Sequence, residues 1–167
     1  MPQDFRSELI ALVPRLRRFA LSLAGNKADA ADLVQAACEK ALKNEAQFQP
    51  GTRMDSWMYR IIQNKWLDDR RRATTRGVAV DPEDAGLSDQ GKSARTAHDR
   101  MLLSDVREAM LELPEGQRAV LSLVAIEGQS YKEAAAILDV PVGTVMSRRA
   151  RAREKLLPLM ADERRMH

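Results

Sequence analysis

Five cations fall within eight residues near the end of the chain: Arg148, Arg149, Arg151, Arg153 and Lys155. On a helix, such a set suits a polyanion. A guanidinium fork pairs with two acceptors on the edge of a guanine, and ammonium and guanidinium groups alike hold phosphates. The residues just upstream say how the helix would be presented. Gly128 ends one apolar run. Ser130 followed by Glu133 is a capping box opening the next helix. Ala134, Ala135, Ile137 and Leu138 make a buried face, and Asp139, Val140 and Pro141 make a turn, because the residue before a proline is pushed out of the helical region. Val142 to Leu157 then resumes the helix, with Val145, Leu156 and Leu157 available for packing. This is a helix-turn-helix pattern whose second helix suits the major groove of DNA. An ordinary helical hairpin with a solvated basic face is the alternative.

A second basic stretch lies earlier. Arg60 to Arg76 holds six basic and two acidic residues, and Pro141 to Lys155 five and one. Between them, from Asp81 to Glu115, nine acidic residues face four basic. With a net charge of only +3, the chain is no general polycation. Two basic surfaces and an acidic spacer imply two contacts on one polyanion.

The elements that must position these groups read as helices throughout. Leu9, Leu12, Val13, Leu16, Phe19, Ala20 and Leu23 share one helical face between Phe5 and Gly25, with Pro14 expected to kink or split that helix. Asp29 to Lys43 repeats the spacing through Leu33, Val34, Ala37, Cys38, Ala41 and Leu42. A loop from Asn44 to Arg53 carries Phe48, Pro50 and Gly51. A third helix, Asp55 to Arg72, buries Trp57, Met58, Ile61, Ile62 and Leu67. From Thr74 to about Thr96 the apolar period gives way to Gly, Ser, Asp and Pro, the composition of a flexible linker. Helical spacing then returns through Met101, Leu102, Val106, Met110 and Leu113, and through Val120, Leu121 and Val124. The expected fold is all-α: two small helical domains, 1–73 and 99–160, joined by a flexible linker at 74–98.

Several chemistries have no residues to run them. His98 falls in the linker and His167 at the end, so no Cys/His metal set assembles. Asp68 and Asp69 are adjacent helix positions that point apart, and no glycine-rich phosphate loop is present. We therefore expect neither an enzyme nor a cofactor. The lone Cys38 excludes an internal disulfide and fits a reducing compartment. No run approaches membrane-spanning length, and the N-terminus lacks a signal peptide's apolar stretch. The expected location is cytoplasmic, with no membrane insertion.

Taken in order, these residues resemble the extracytoplasmic-function branch of the sigma-70 family of bacterial transcription initiation factors. Asp32, Leu33, Val34 and Gln35, then Trp57 to Ile61, and Asn64 are similar to its region 2. Leu113, Pro114 and Glu115 with Arg118, then Gly143, Thr144, Val145, Ser147 and Arg148, are similar to its region 4. The resemblance implies a subunit that directs core RNA polymerase to specific promoters and promotes melting there. It implies that Asp29, Asp32, Gln35 and Glu39 meet the clamp helices of the polymerase's largest subunit, while region 4 meets its flap. Phe48 and Asn64 would line a pocket for a flipped base of the minus-ten element, since an extruded base needs an aromatic or apolar wall edged by hydrogen-bonding groups. Arg53, Arg60, Lys65, Arg70, Arg71 and Arg72 would hold phosphates, and Asp68 would read an adjacent base. At the minus-thirty-five element, Thr144, Met146, Ser147, Arg148 and Arg151 would face bases or the nearest phosphates, with Arg149, Arg153 and Lys155 turned to phosphate or solvent. Met146 departs from the pattern, because many relatives are basic there, so the particular sequence read is open.

The family also implies control by an anti-sigma factor that packs between or around the two domains, in a stress response. Control by a C-terminal extension is not expected, because the chain ends about ten residues after its last helix core. The rival reading is a sigma-like decoy that sequesters an anti-sigma factor without initiating transcription. A decoy has no need of the recognition-helix arginines or Asn64.

Overall fold

The structure is a computed structural model, and it describes residues 4–75 and 108–165, with side chains to Pro158. Met101, Leu102 and Val106 and nearly all of the expected linker fall outside the described residues. Within them every regular element is helical. In order they are α1 (Phe5–Ala24), α2 (Lys27–Lys43), a 3₁₀ turn (Glu45–Gln47), α3 (Met54–Thr75), α4 (Glu115–Leu121) running into a π-type segment (Ser122–Ile126), α5 (Tyr131–Leu138) and α6 (Val142–Arg165). A helical stretch over 108–112 precedes α4.

The local signals explain most boundaries. Gly25 takes the left-handed conformation that closes α1, and the Asn26 side chain caps α2 by accepting from Asp29 N–H at 2.9 Å. The box before α5 is complete: Ser130 Oγ accepts from Glu133 N–H, and Glu133 accepts from Ser130 N–H. Asp139, at φ 54°, ends α5 in the left-handed region, which its short polar side chain tolerates.

Three expectations need correction. Pro14 does not split α1, which is continuous from Phe5 to Ala24. The third helix is longer at both ends than Asp55 to Arg72, because Met54 is buried at its start and Thr74 and Thr75 return their hydroxyls to Arg70 and Arg71 carbonyls. The recognition helix passes through Pro158 and runs to Arg165 rather than stopping at Leu157.

Leu16, Phe19, Ala20 and Leu23 of α1 pack against Leu33, Val34, Ala37 and Ala41 of α2 and Met58, Tyr59 and Ile62 of α3. Trp57, Ile61 and Leu67 are half-buried at the edge rather than central. This core does not stop at the N-terminal unit. It continues through Ala119, Val120 and Leu123 into Ala134, Ala135, Ile137, Leu138 and Val145. Accordingly α1 lies on α4, and α3 on α5. A smaller cluster of Ala109, Leu113, Ala152 and Leu156 ties the 108–112 stretch to α6. The two helical units are therefore docked face to face, which the sequence pattern did not anticipate.

Candidate nucleic-acid and polymerase surfaces

The helix-turn-helix presents its cations unevenly. Arg151, Arg153 and Lys155 are exposed, as are Met146 (52 %) and Ser147, whose hydroxyl is bonded to the Thr144 carbonyl. Arg148 is half-buried, and its guanidinium lies so close over Gly116 that a Cβ there would meet it at 3.2 Å. Arg149 sits over the Tyr131 ring at 5.7 Å, an attraction between the cation and the ring face. Thus Arg151 and Arg153 are the freest to meet a phosphate or base, while Arg148 and Arg149 already have partners.

On the N-terminal unit, Arg60, Asn64, Asp68, Arg71 and Arg72 are exposed along α3. Lys65 pairs with Asp69 at 2.9 Å. Phe48 is half-buried, 5.6 Å from the Phe5 ring and 5.1 Å from Trp57, so it anchors the loop to α3. The same contacts assign Trp57 to packing rather than to a free stacking platform. Two of the expected phosphate-holding arginines already have acidic partners, Arg53 while still 52% exposed in its side chain. Arg53 gives one nitrogen to Asp55 at 2.8 Å and another to Glu133 of α5 at 2.6 Å. Arg70 is only 14 % exposed in its side chain, paired with Glu115 of α4 and lying over the Trp66 ring. Burial lowers the Arg70 pKa from its ordinary value.

The acidic face of α2 is open. Asp29, Asp32, Gln35 and Glu39 are all exposed, and Gln35 reaches Glu39 one turn on at 3.4 Å. Asp29 and Asp32 edge a hollow whose other walls are Leu33, Ala36, Lys65, Trp66 and Asp69. Asp29 also lies in the first turn of α2, where a negative charge suits the helix dipole.

The residues that dock the two units are the ones the pattern missed. Glu127, its side chain fully buried, accepts from Tyr59 Oη at 2.8 Å, from Arg18 at 3.0 and 3.2 Å, and from Arg15 at 3.3 Å. Burial and this carboxylate together push the Tyr59 pKa far above its usual range. Asp55 binds Arg53, Arg15 and the Gln129 amide, and Gln129 accepts from Ser56. Burial alone would raise the Asp55 carboxyl. The bonds from Arg53, the Ser56 N–H and Arg15 outweigh it and hold the group below the ordinary carboxylate range.

Arg118, 1 % exposed, bonds Ser22 O and Leu23 O at the end of α1, Leu23 at 3.2 Å, and Leu113 O at 3.1 Å. It thereby satisfies carbonyls that the end of a helix leaves without partners. Burial, and secondarily the charge of Arg70, lower its pKa. The Trp66 indole N–H donates to Glu115. Arg118 and Glu127 stand at the two ends of the largely apolar stretch Ala119 to Ile126. A single sequence does not say which distant group holds them.

Sequence and structure comparisons agree with this layout. Residues 9–76 match the model of sigma-70 region 2, and residues 103–156 that of sigma-70 region 4. The ECF RNA polymerase sigma factor EcfG of Rhodopseudomonas palustris is 40% identical over 162 residues, covering 96% of this chain and 87% of the relative. Among solved structures, the sigma factor RpoE of Bartonella quintana, crystallised with the anti-sigma factor NepR, superposes with a TM-score of 0.74 at 31% identity over 95% of this chain and 97% of that one. CnrH, solved with the cytosolic domain of CnrY, gives 0.66 at 28% identity, over 95% and 88%. The fold and its order of surfaces define a two-domain transcription initiation factor. The chain belongs to the extracytoplasmic-function branch of the sigma-70 family.

Proposed function

We propose that this chain is an alternative sigma factor that lends promoter choice and melting to core RNA polymerase and is held in reserve by an anti-sigma factor. The observation that carries this reading is the pairing, on one chain and in the family's order, of two surfaces. One is an α3 with exposed Asn64, Arg60, Arg71 and Arg72; the other is a capped helix-turn-helix with exposed Arg151, Arg153 and Lys155. The open acidic face of α2 (Asp29, Asp32, Gln35, Glu39) supports docking on the basic clamp helices of the polymerase. The exposure of Asn64 on α3 supports capture of an unstacked base, which costs a few kcal/mol to extrude.

Arg53, Arg60, Lys65, Arg70, Arg71 and Arg72 hold phosphates in the open complex, and Asp68 reads a neighbouring base. Thr144, Met146, Ser147, Arg148 and Arg151 meet the minus-thirty-five element, with Arg149, Arg153 and Lys155 near its backbone. The anti-sigma partner is inferred from the Bartonella relative, which was crystallised with one. On this reading the protein is a regulatory subunit rather than an enzyme, needs no cofactor and acts in the cytoplasm. Among the described residues no helix is long and apolar enough to cross a membrane, and no cluster of His, Cys, Asp and Glu is arranged to hold a metal.

Run-off transcription with purified core polymerase tests the proposal, with and without this chain, on fragments of the host genome. Transcripts from promoters sharing a two-part element are expected. Binding to core without any initiation would point to the decoy that only sequesters an anti-sigma factor. Failure to bind either core or DNA would overturn the reading. Asn64→Ala is expected to reduce open-complex formation while leaving capture of core intact, and Asp32→Arg to impair capture of core without unfolding the domain.

A further inference from the structure

Arg118 and Glu127 are buried at the seam between the two docked units, each with bonded partners. Arg149 meets a different problem on the recognition helix. It stands four residues after Val145 and three before Ala152, both fully buried, and seven before Leu156, which is 9% exposed. At about 3.6 residues per turn that is the inward stripe of α6, where a cation has no place unless its head is carried out to the edge. The structure shows what carries it. The Arg149 guanidinium carbon lies 5.7 Å from the centre of the Tyr131 ring, and Tyr131 is itself packed against the core. Tyr131 is the first residue of α5, and the Ser130–Glu133 box fixes its backbone. Both side chains are half-buried, so the pair sits at the rim of the motif.

We propose that Tyr131 is a positioning residue for promoter binding: its ring holds Arg149 at the first turn of α5, where the guanidinium takes a phosphate flanking the minus-thirty-five element. In a helix-turn-helix the first helix crosses the DNA backbone while the second lies in the groove. A cation rooted on the second helix but held at the start of the first is therefore aimed at backbone, not at base edges. The ring attracts the cation without neutralising it, and it orders a long side chain before DNA arrives. A carboxylate in its place would compete with the phosphate for the same donors. The inference rests on the reading of the chain as a sigma factor and of Arg149 as a phosphate-holding residue.

The test uses holoenzyme assembled from the full chain and core polymerase, with a fluorescein-labelled duplex of the promoter that gives the strongest run-off transcript. Arg149→Ala is expected to flatten the log–log salt dependence of binding by about 0.9, the value of one phosphate contact on duplex DNA. Tyr131→Leu keeps an apolar side chain against the core but removes the ring face, and should weaken binding about two- to fivefold. Tyr131→Phe keeps the ring and should bind as the unsubstituted chain does. In an Arg149→Ala background Tyr131→Leu should change nothing further, because the ring acts through the cation.

Weakening by Tyr131→Phe equal to that by Tyr131→Leu would overturn the proposal, since the hydroxyl and not the ring would be the group in use. Equal loss from Tyr131→Leu with and without Arg149 would overturn it too, by assigning the ring to packing alone. If Arg149→Ala flattens the slope while Tyr131→Leu is silent, the phosphate contact stands and the positioning is wrong. If Arg149→Ala alters neither slope nor affinity, the phosphate assignment fails and the positioning with it. A holoenzyme that yields no transcript removes the sigma reading on which both depend.

Discussion

Replacing Glu127 by Ala should release the two domains from each other while leaving each folded. The carboxylate is fully buried, but its partners are not equally dependent on it. Tyr59 Oη is buried and has a charged acceptor at 2.8 Å, and a hydrogen bond of that kind contributes about 1.5–3 kcal/mol. Arg15 and Arg18 are 34% and 54% exposed in their side chains, so water replaces the lost acceptor and each pair contributes only about 0–1 kcal/mol. The expected cost to docking is therefore about 2–4 kcal/mol, or roughly one and a half to three decades in the docking equilibrium.

Glu127→Gln keeps an acceptor for Tyr59 and should cost about half as much. The assay is built in, because Trp66 lies in the seam, bonded to Glu115, and in a Trp57→Phe background its emission follows undocking along a urea titration. A cycle with Tyr59→Phe, which keeps the ring stacked edge-on to Phe19, isolates the central bond, with an expected coupling of about 1–2 kcal/mol. A shift below about 0.5 kcal/mol with zero coupling would refute the argument, since it would mean the buried carboxylate is rehydrated in place.

Arg118→Leu strips the carbonyls of Ser22, Leu23 and Leu113 of their donor, and should cost about 2–4 kcal/mol in urea denaturation, more than Arg15→Leu, whose side chain is one-third exposed. Acid should loosen the seam. The Asp55 and Glu133 carboxyls both titrate below their ordinary values, so the stability they contribute is complete above the unfolded pKa of about 4 and is lost as pH falls through the lower folded values. Trp66 emission between pH 5 and 2 checks this, and Asp55→Asn should flatten the change. Asp139→Ala puts a Cβ without a compensating polar group at φ 54° and is expected to cost about 1 kcal/mol, read from the thermal midpoint. Asp139→Gly should cost less.

What the sequence determined by itself was whatever depends on neighbours along the chain. Apolar spacing marked the faces of α1, α2 and α3, and a Ser–Glu pair three residues apart marked the start of α5 because the capping box closes within one turn. The turn at Asp139 to Pro141 was legible for the same reason. The clustered arginines were legible as composition on a periodic element, whereas the role of the acidic face of α2 came only with the resemblance to the family. Tertiary structure alone decided which charges are free. Arg53 and Arg148 read as cations for the promoter, yet one, though still exposed, is paired with Asp55 and, across 80 residues of sequence, with Glu133, and the other packs on Gly116. Nothing along the chain pointed to partners for Glu127 and Arg118, and only the docking of α4 and the π-type segment onto α1 and α3 supplied Tyr59, Arg15, Arg18 and the end of α1. The physical reason is that hydrophobic spacing specifies a face without its partner. A buried charge, by contrast, is tolerable only once a distant chain segment brings its counterpart.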